Sequence, residues 1–190
     1  RAQSFGLAEA KGIAIEWLTS QQLDSRIGHG RHQGVAAKVS DFALSSLDEI
    51  LAAATAARQQ PFVLLLDQIV DPQNLGAITR TAQCAGVHGV VVTKDRSSPL
   101  SPAASKASAG ALEHTRIAVV ANLVQAITQL KESGIWVAGA DRSGARDLYR
   151  ADLKGPIALV IGSEGKGLRP LVRRHCDFVV AIPQMGSIGS

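Results

Sequence analysis

From Phe62 onward the apolar residues fall into short unbroken runs separated by mixed segments of helical length. The runs are FVLLL (62–66), GVVVT (89–93), RIAVV (116–120), IWVAGA (135–140), IALVI (157–161) and FVVAI (178–182). Runs this continuous, lacking the alternation of a half-exposed strand, mark strands buried on both faces. Between them the spacing predicts helices over 75–85, 102–109, 123–133 and 168–175. Asn74, Ser101 and Asn122 stand where N-caps are expected, and Gly86 and Gly134 where two of these helices stop. Strands alternating with helices predict an α/β fold, a parallel sheet covered by helices on both faces.

The first sixty residues follow a different rhythm. Residues 5–10 look like the end of a helix, 12–18 (GIAIEWL) alternate like a strand, 20–27 read as helix and 34–39 (GVAAKV) as a second short strand. That is part of a small α/β unit, too little to close a core alone. Residues 41–60 read as a helical connector. Ser46 and Glu49 have capping-box spacing, and Leu47, Ile50, Leu51 and Ala54 form an apolar stripe. The expected organisation is a partial N-terminal domain over 1–40, a linker helix over 41–60 and a main domain over 61–190.

Composition narrows the classes. With 190 residues and 46% apolar content the chain can bury one good core. No stretch approaches a membrane span, no signal peptide is visible, and Cys84 and Cys176 form no redox motif, so a soluble cytoplasmic protein with reduced thiols is expected. A net charge of +4 permits a nucleic-acid partner without requiring one. The five histidines show no ligand spacing and Ser163 lies outside any nucleophile elbow, so neither a metal enzyme nor a triad hydrolase is expected.

Three stretches carry candidate chemistry. In DQIVDPQNLGAITR (67–80) a buried strand turns into a helix, and Arg80 falls about two turns along it, a permanent cation with forked donors. In GSEGKG (162–167) a strand empties into a glycine loop, the usual design of a ligand site at the carboxyl edge of a parallel sheet. Glu164 inside that loop speaks against a phosphate ligand, and the spacing matches neither common phosphate-binding pattern. The third stretch, PQMGSIGS (183–190), is too polar and glycine-rich for a helix. Basic residues cluster at Lys94/Arg96/Lys106, Arg142/Arg146/Arg150 and Arg169/Arg173/Arg174; solvated helix faces explain most of them, with phosphate contact open for some. GHGRHQG (28–34) reads as a polar surface turn or an RNA-contacting loop.

In this order, NLGAITRTA (74–82), ALVIGSEGKGL (158–168) and IPQMGSIGS (182–190) resemble motifs 1, 2 and 3 of the SpoU/TrmH branch of the SPOUT RNA methyltransferases. RHQGVAA (31–37) together with GIAIEWL resembles the N-terminal, L30e-like RNA-binding domain of the RlmB-like subgroup, which methylates a guanosine ribose in large-subunit ribosomal RNA. The resemblance implies a trefoil-knotted α/β domain, S-adenosyl-L-methionine as methyl donor, and a homodimer with the site near the subunit interface. Position by position it makes Asn74, Arg80, Glu164 and Ser190 the polar active-site residues. Gly139, Gly162, Ile182 and Met185 match segments that hold the cofactor, largely through backbone. Arg31, His32, Gln33 and Arg142 are the residues expected to contact RNA. Motif 3 of the family continues into a C-terminal helix that completes the knot, so segments beyond both ends of this sequence are expected. A transfer-RNA methyltransferase and a non-catalytic RNA-binding module of the same fold stay open as alternatives.

Overall fold

The computed structural model describes residues 2–28 and 32–183, the side chains of 2–4 excepted. The chain divides into two compact units, Arg1–Asp41 and Phe42–Ser190.

In the first unit, α1 (Ala2–Ala10) and α2 (Ser20–Ile27) form as the pattern predicts. Thr19 and Gln22 build a reciprocal capping box at the start of α2, and Gly28 closes it in the left-handed conformation with φ 76°. The strands expected over 12–18 and 34–39 do not form; both segments are irregular. Neither finds a ladder partner among the described residues, and an extended segment without a partner leaves its backbone groups to solvent. Side-chain contacts hold the unit instead: Phe5 stacks on Trp17 at 5.1 Å between ring centroids, and Arg26 makes a forked pair with Glu16 at 2.6 and 2.8 Å. No described side chain of this unit is fully buried.

The second unit is built on seven parallel strands: β1 (Phe62–Asp67), β2 (Gly89–Thr93), β3 (Ile117–Val120), β4 (Trp136–Ala140), β5 (Arg146–Asp147), β6 (Ile157–Gly162) and β7 (Phe178–Ala181). Their order across the sheet is β3-β2-β1-β6-β4-β7-β5. The helices are α3 (Leu47–Ala56), α4 (Pro72–Cys84), α5 (Pro102–Ala107), α6 (Leu123–Glu132) and α7 (Pro170–His175). Successive β1 residues point to opposite faces, and each face has its own core. Val63 and Leu65 pack with Ile50, Leu123, Ile127, Leu130 and Val172; Leu64 and Leu66 pack with Leu75, Ala82, Ala104 and Leu112. The expected α/β sheet with two covered faces is therefore present. The path that would close the trefoil knot runs past Pro183, outside the described residues.

Several boundaries differ from expectation for identifiable reasons. Helix α4 starts at Pro72, with Asp71 as N-cap accepting from the Gln73 amide at 2.9 Å. Proline in the first turn leaves no donor unpaired, so Asp71-Pro72 begins the helix, and Asn74 lies inside it rather than capping it. Pro170 likewise delays α7 by two residues relative to the expected start at Leu168. Strand β7 ends at Ala181, which leaves Ile182 outside the sheet and 56% exposed. β5 is too short for a periodic signal; it pairs Arg146 with Val180 and Asp147 with Ala181.

Gly89 marks a close approach. A β-carbon there would lie 2.5 Å from the Cδ1 and Cγ1 atoms of the wholly buried Ile50. Gly89→Ala is expected to lower the unfolding free energy by about 1–3 kcal/mol through overpacking. Combining it with Ile50→Val is expected to cost less than the sum of the two single changes, measured by urea denaturation as a double-mutant cycle.

Candidate functional site

At the carboxyl edge of the sheet the ends of β1, β4, β6 and β7 are tied together by two carboxylates. Asp67 ends β1 and is wholly buried, in register with Gly162 at the end of β6. Its Oδ2 accepts the Arg169 amide at 2.9 Å and its Oδ1 accepts Arg169 Nε at 2.6 Å. Asp141 follows β4. Its amide donates to the Val180 carbonyl at 2.9 Å, joining β4 to β7, while its Oδ2 accepts the Leu168 amide at 3.2 Å. Its Oδ1 accepts the Ser143 amide at 2.9 Å and Arg173 Nη1 at 3.0 Å. Burial alone would raise the Asp141 pKa. The Ser143 side chain and amide, the Leu168 amide and Arg173 outweigh it and hold the carboxyl below its usual value of 3.8.

The loop these carboxylates grip is compact. Ser163 and Gly167 exchange backbone hydrogen bonds at 3.1 and 2.9 Å, and Gly165 and Gly167 take φ of 80° and 66°, which few other residues accept. A β-carbon on Gly162 would run into the Gly167 carbonyl group, and one on Gly139 would lie 2.7 Å from Leu168 Cδ1. Both glycines are thus required by the loop's packing on the strand ends. Cys176 lies under the same loop; burial above all pushes its thiol up to about 11, so it is not a thiolate nucleophile at neutral pH.

The tip of the loop, from Glu164 to Lys166, is exposed. Asn74 Nδ2 donates to Glu164 Oε2 at 3.2 Å, so two of the expected active-site residues meet across ninety positions of sequence. Arg80 is on the exposed side of α4, about 9 Å along the axis from Asn74 by helical rise, and makes no hydrogen bond or ion pair among the described residues. Leu75, Gly76 and Thr79 form the buried side of that helix.

The other expected residues divide. Gly139 and Gly162 sit at the strand ends just described, and Ile182 follows β7. Arg142 is exposed beside Asp141. In the N-terminal unit His32 is largely enclosed: its Nδ1 accepts the Gly34 amide at 2.8 Å and its Nε2 lies 3.2 Å from Asp24 Oδ1. Gln33 is exposed with φ 52°. Arg31, Met185 and Ser190 lie outside the described residues. Sequence reasoning overlooked Asp141 and left Arg169 and Arg173 among solvated basic faces. Both arginines instead pair with the carboxylates that end β1 and β4. The available signal was an aspartate directly after each of two apolar runs, LLLD and GAD.

Comparison with known proteins decides the family. The SpoU rRNA Methylase family profile matches residues 61–190, and a profile for RNA 2'-O ribose methyltransferase substrate binding matches residues 1–44. The chain belongs to the SpoU rRNA methylase family. It is 44% identical over 188 residues to the Bacillus subtilis protein YacO, assigned to the TrmH family of tRNA/rRNA methyltransferases, covering 99% of this chain and 75% of that one. It is 39% identical over 185 residues to the 23S rRNA (guanosine-2'-O-)-methyltransferase RlmB of Escherichia coli K12, covering 96% and 74%. Among solved structures it resembles the SpoU methyltransferase AviRb of Streptomyces viridochromogenes in complex with AdoMet, with TM-score 0.64 and 29% identity over 70% of this chain. It spans 52% of that AviRb chain, against about three quarters of the two relatives compared by sequence. For a SpoU-family chain, the buried Asp67 and the half-buried Asp141 explain how backbone from separate strands is held at one edge.

Because the folded Asp141 pKa is depressed, its contribution to stability is complete above pH 3.8 and disappears as pH falls through the lower folded value. Asp141→Asn is expected to lose about 2 kcal/mol of unfolding free energy at pH 7, the scale of charge-assisted hydrogen bonds. That deficit is expected to shrink as the pH is lowered below 3.8, measured by urea denaturation across the acid range.

Proposed function

We propose that the chain catalyses S-adenosyl-L-methionine-dependent 2'-O-methylation of a guanosine ribose in large-subunit ribosomal RNA. The observation that carries the reading is the Asn74–Glu164 contact at the tip of a glycine loop locked onto the ends of β1 and β4. Support for the substrate comes from the 39% identity to RlmB and the match of residues 1–44 to a ribose-methyltransferase substrate-binding profile. A homodimer and a cytoplasmic location belong to the same reading. Among the described residues no helix is long and apolar enough to cross a membrane.

The residues present fit the methyl donor. The donor has an adenosine and a sulfonium but no phosphate, so it suits a site of strand-end backbone groups with a carboxylate nearby rather than a cluster of cations. The backbone after β4, the loop from Gly162 to Leu168 and the chain after β7 would hold it, which is the role given to Gly139, Gly162 and Ile182. When bound, it supplies an activated methyl group for in-line attack by the ribose 2'-oxygen. The chain's contribution is to position that oxygen and to stabilise the charge growing on it. Asn74 fixes the orientation of Glu164. Arg80 is a permanent cation, so it stabilises the developing alkoxide or holds the neighbouring phosphate, and the 2'-hydroxyl proton passes to water instead.

The test is transfer of labelled methyl groups to unmodified large-subunit ribosomal RNA and to bulk transfer RNA, with the product digested to locate the label. Label on a guanosine ribose of ribosomal RNA is the expected result; label confined to transfer RNA contradicts the substrate. Arg80→Lys is expected to reduce the rate at least tenfold, because lysine keeps the charge and loses the fork. Near-full activity of that variant with an unchanged pH profile contradicts the role given to Arg80.

A further inference from the structure

Residues 141–150 carry an exposed aromatic between cations, beside the loop that Asp141 holds. Tyr149 is 78% exposed; its ring makes no ring contact and its hydroxyl no hydrogen bond among the described residues. Its backbone is nevertheless fixed. Asp147 pairs with Ala181 of β7, and its carboxylate accepts the Tyr149 amide at 2.9 Å, opening the short 3-10 turn Leu148–Arg150. Upstream, Gly144 packs so closely on β7 that a β-carbon there would lie 2.5 Å from the Val180 carbonyl carbon. The ring is therefore presented to solvent from a pinned backbone, with its face open to a flat partner.

The charges around it select that partner. Arg142 is exposed and unpaired among the described residues, and the Arg150 side chain is 89% exposed with its Nε 4.0 Å from Asp147 Oδ2. Arg146 lies with its guanidinium 5.1 Å over the Phe178 ring and remains exposed at its edge. The nearby carboxylates are engaged: Asp147 caps the turn, and Asp141 is paired with Arg173. An aromatic face flanked by exposed guanidiniums, of which Arg150 is held only by a 4.0 Å pair to Asp147, matches a single-stranded nucleic acid, whose bases stack while its phosphates pair with arginine.

Resting on the reading of the chain as an RNA methyltransferase, we infer that Tyr149 stacks a base of single-stranded RNA next to the methylation site, with Arg142 and Arg150 on the adjoining phosphates. Tyr149 is then a positioning residue for the substrate.

The experiment uses the full chain, a fluorescently labelled single-stranded RNA of mixed sequence, and titrations at several salt concentrations. Tyr149→Ala is expected to weaken RNA binding about tenfold, the scale of one stacked base, while Tyr149→Phe stays within about twofold of wild type. Arg142→Gln and Arg150→Gln are each expected to flatten the plot of log affinity against log salt by about 0.7. Cofactor affinity by calorimetry is expected to be unchanged in Tyr149→Ala. Unchanged RNA affinity in Tyr149→Ala overturns the inference, and so does a loss accompanied by dissociation of a dimer, which would make this surface a contact between copies of the chain. Methyl transfer is read separately. Its absence in wild type overturns the enzymatic reading, whereas the binding titrations alone decide the role of Tyr149.

Discussion

A buried carboxylate at the end of a central strand is expensive unless its oxygens find donors, and Asp67 finds one for each oxygen in a single residue. Arg169 supplies its amide and its Nε, so the start of α7 is fixed against the end of β1. Asp67 is also the register neighbour of Gly162, where the glycine loop begins. The same carboxylate therefore stands beside one end of the loop and grips the other. Asp141 adds a second attachment at Leu168 and joins β4 to β7 through its own amide. Loop shape at this edge is set by charge burial rather than by apolar packing alone.

That arrangement separates the parts that must be rigid from the parts that do chemistry. The strand ends and the loop base are enclosed, and their glycines are dictated by contacts within the protein. The exposed tip carries Glu164, which α4 meets through Asn74. Arg80 and the 142–150 segment face solvent, where a large polyanionic substrate must arrive. On the proposed reading this division suits an RNA methyltransferase, with the rigid edge given to the methyl donor and the exposed surface to the substrate.

Much of this was legible in the sequence. Six of the seven strands and the cover of both faces follow from apolar runs of buried-strand length, and the Ser46–Glu49 capping box reads directly from spacing. The motifs at 74–82 and 158–168 brought Asn74 and Glu164 to attention as separate elements, and the fold places them within 3.2 Å. What was hidden depends on partners distant in sequence. Asp67 and Arg169 are separated by 102 positions, so no local pattern distinguishes that arginine from a solvated one. The segments 12–18 and 34–39 err in the opposite direction: the alternation of 12–18 is real, yet a strand requires a neighbour that neither periodicity nor composition can reveal. β5 is a two-residue pairing, below the length at which any period can be read.

The central claim is that the wholly buried Asp67 and the half-buried Asp141 shape a site they do not themselves fill. It is tested most directly by calorimetric titration of S-adenosyl-L-methionine into Asp67→Asn and Asp141→Asn, under conditions where circular dichroism shows both variants folded. The account predicts at least tenfold weaker cofactor binding in each, with the loss arising from the loosened 162–169 loop. Wild-type affinity in both folded variants would contradict it.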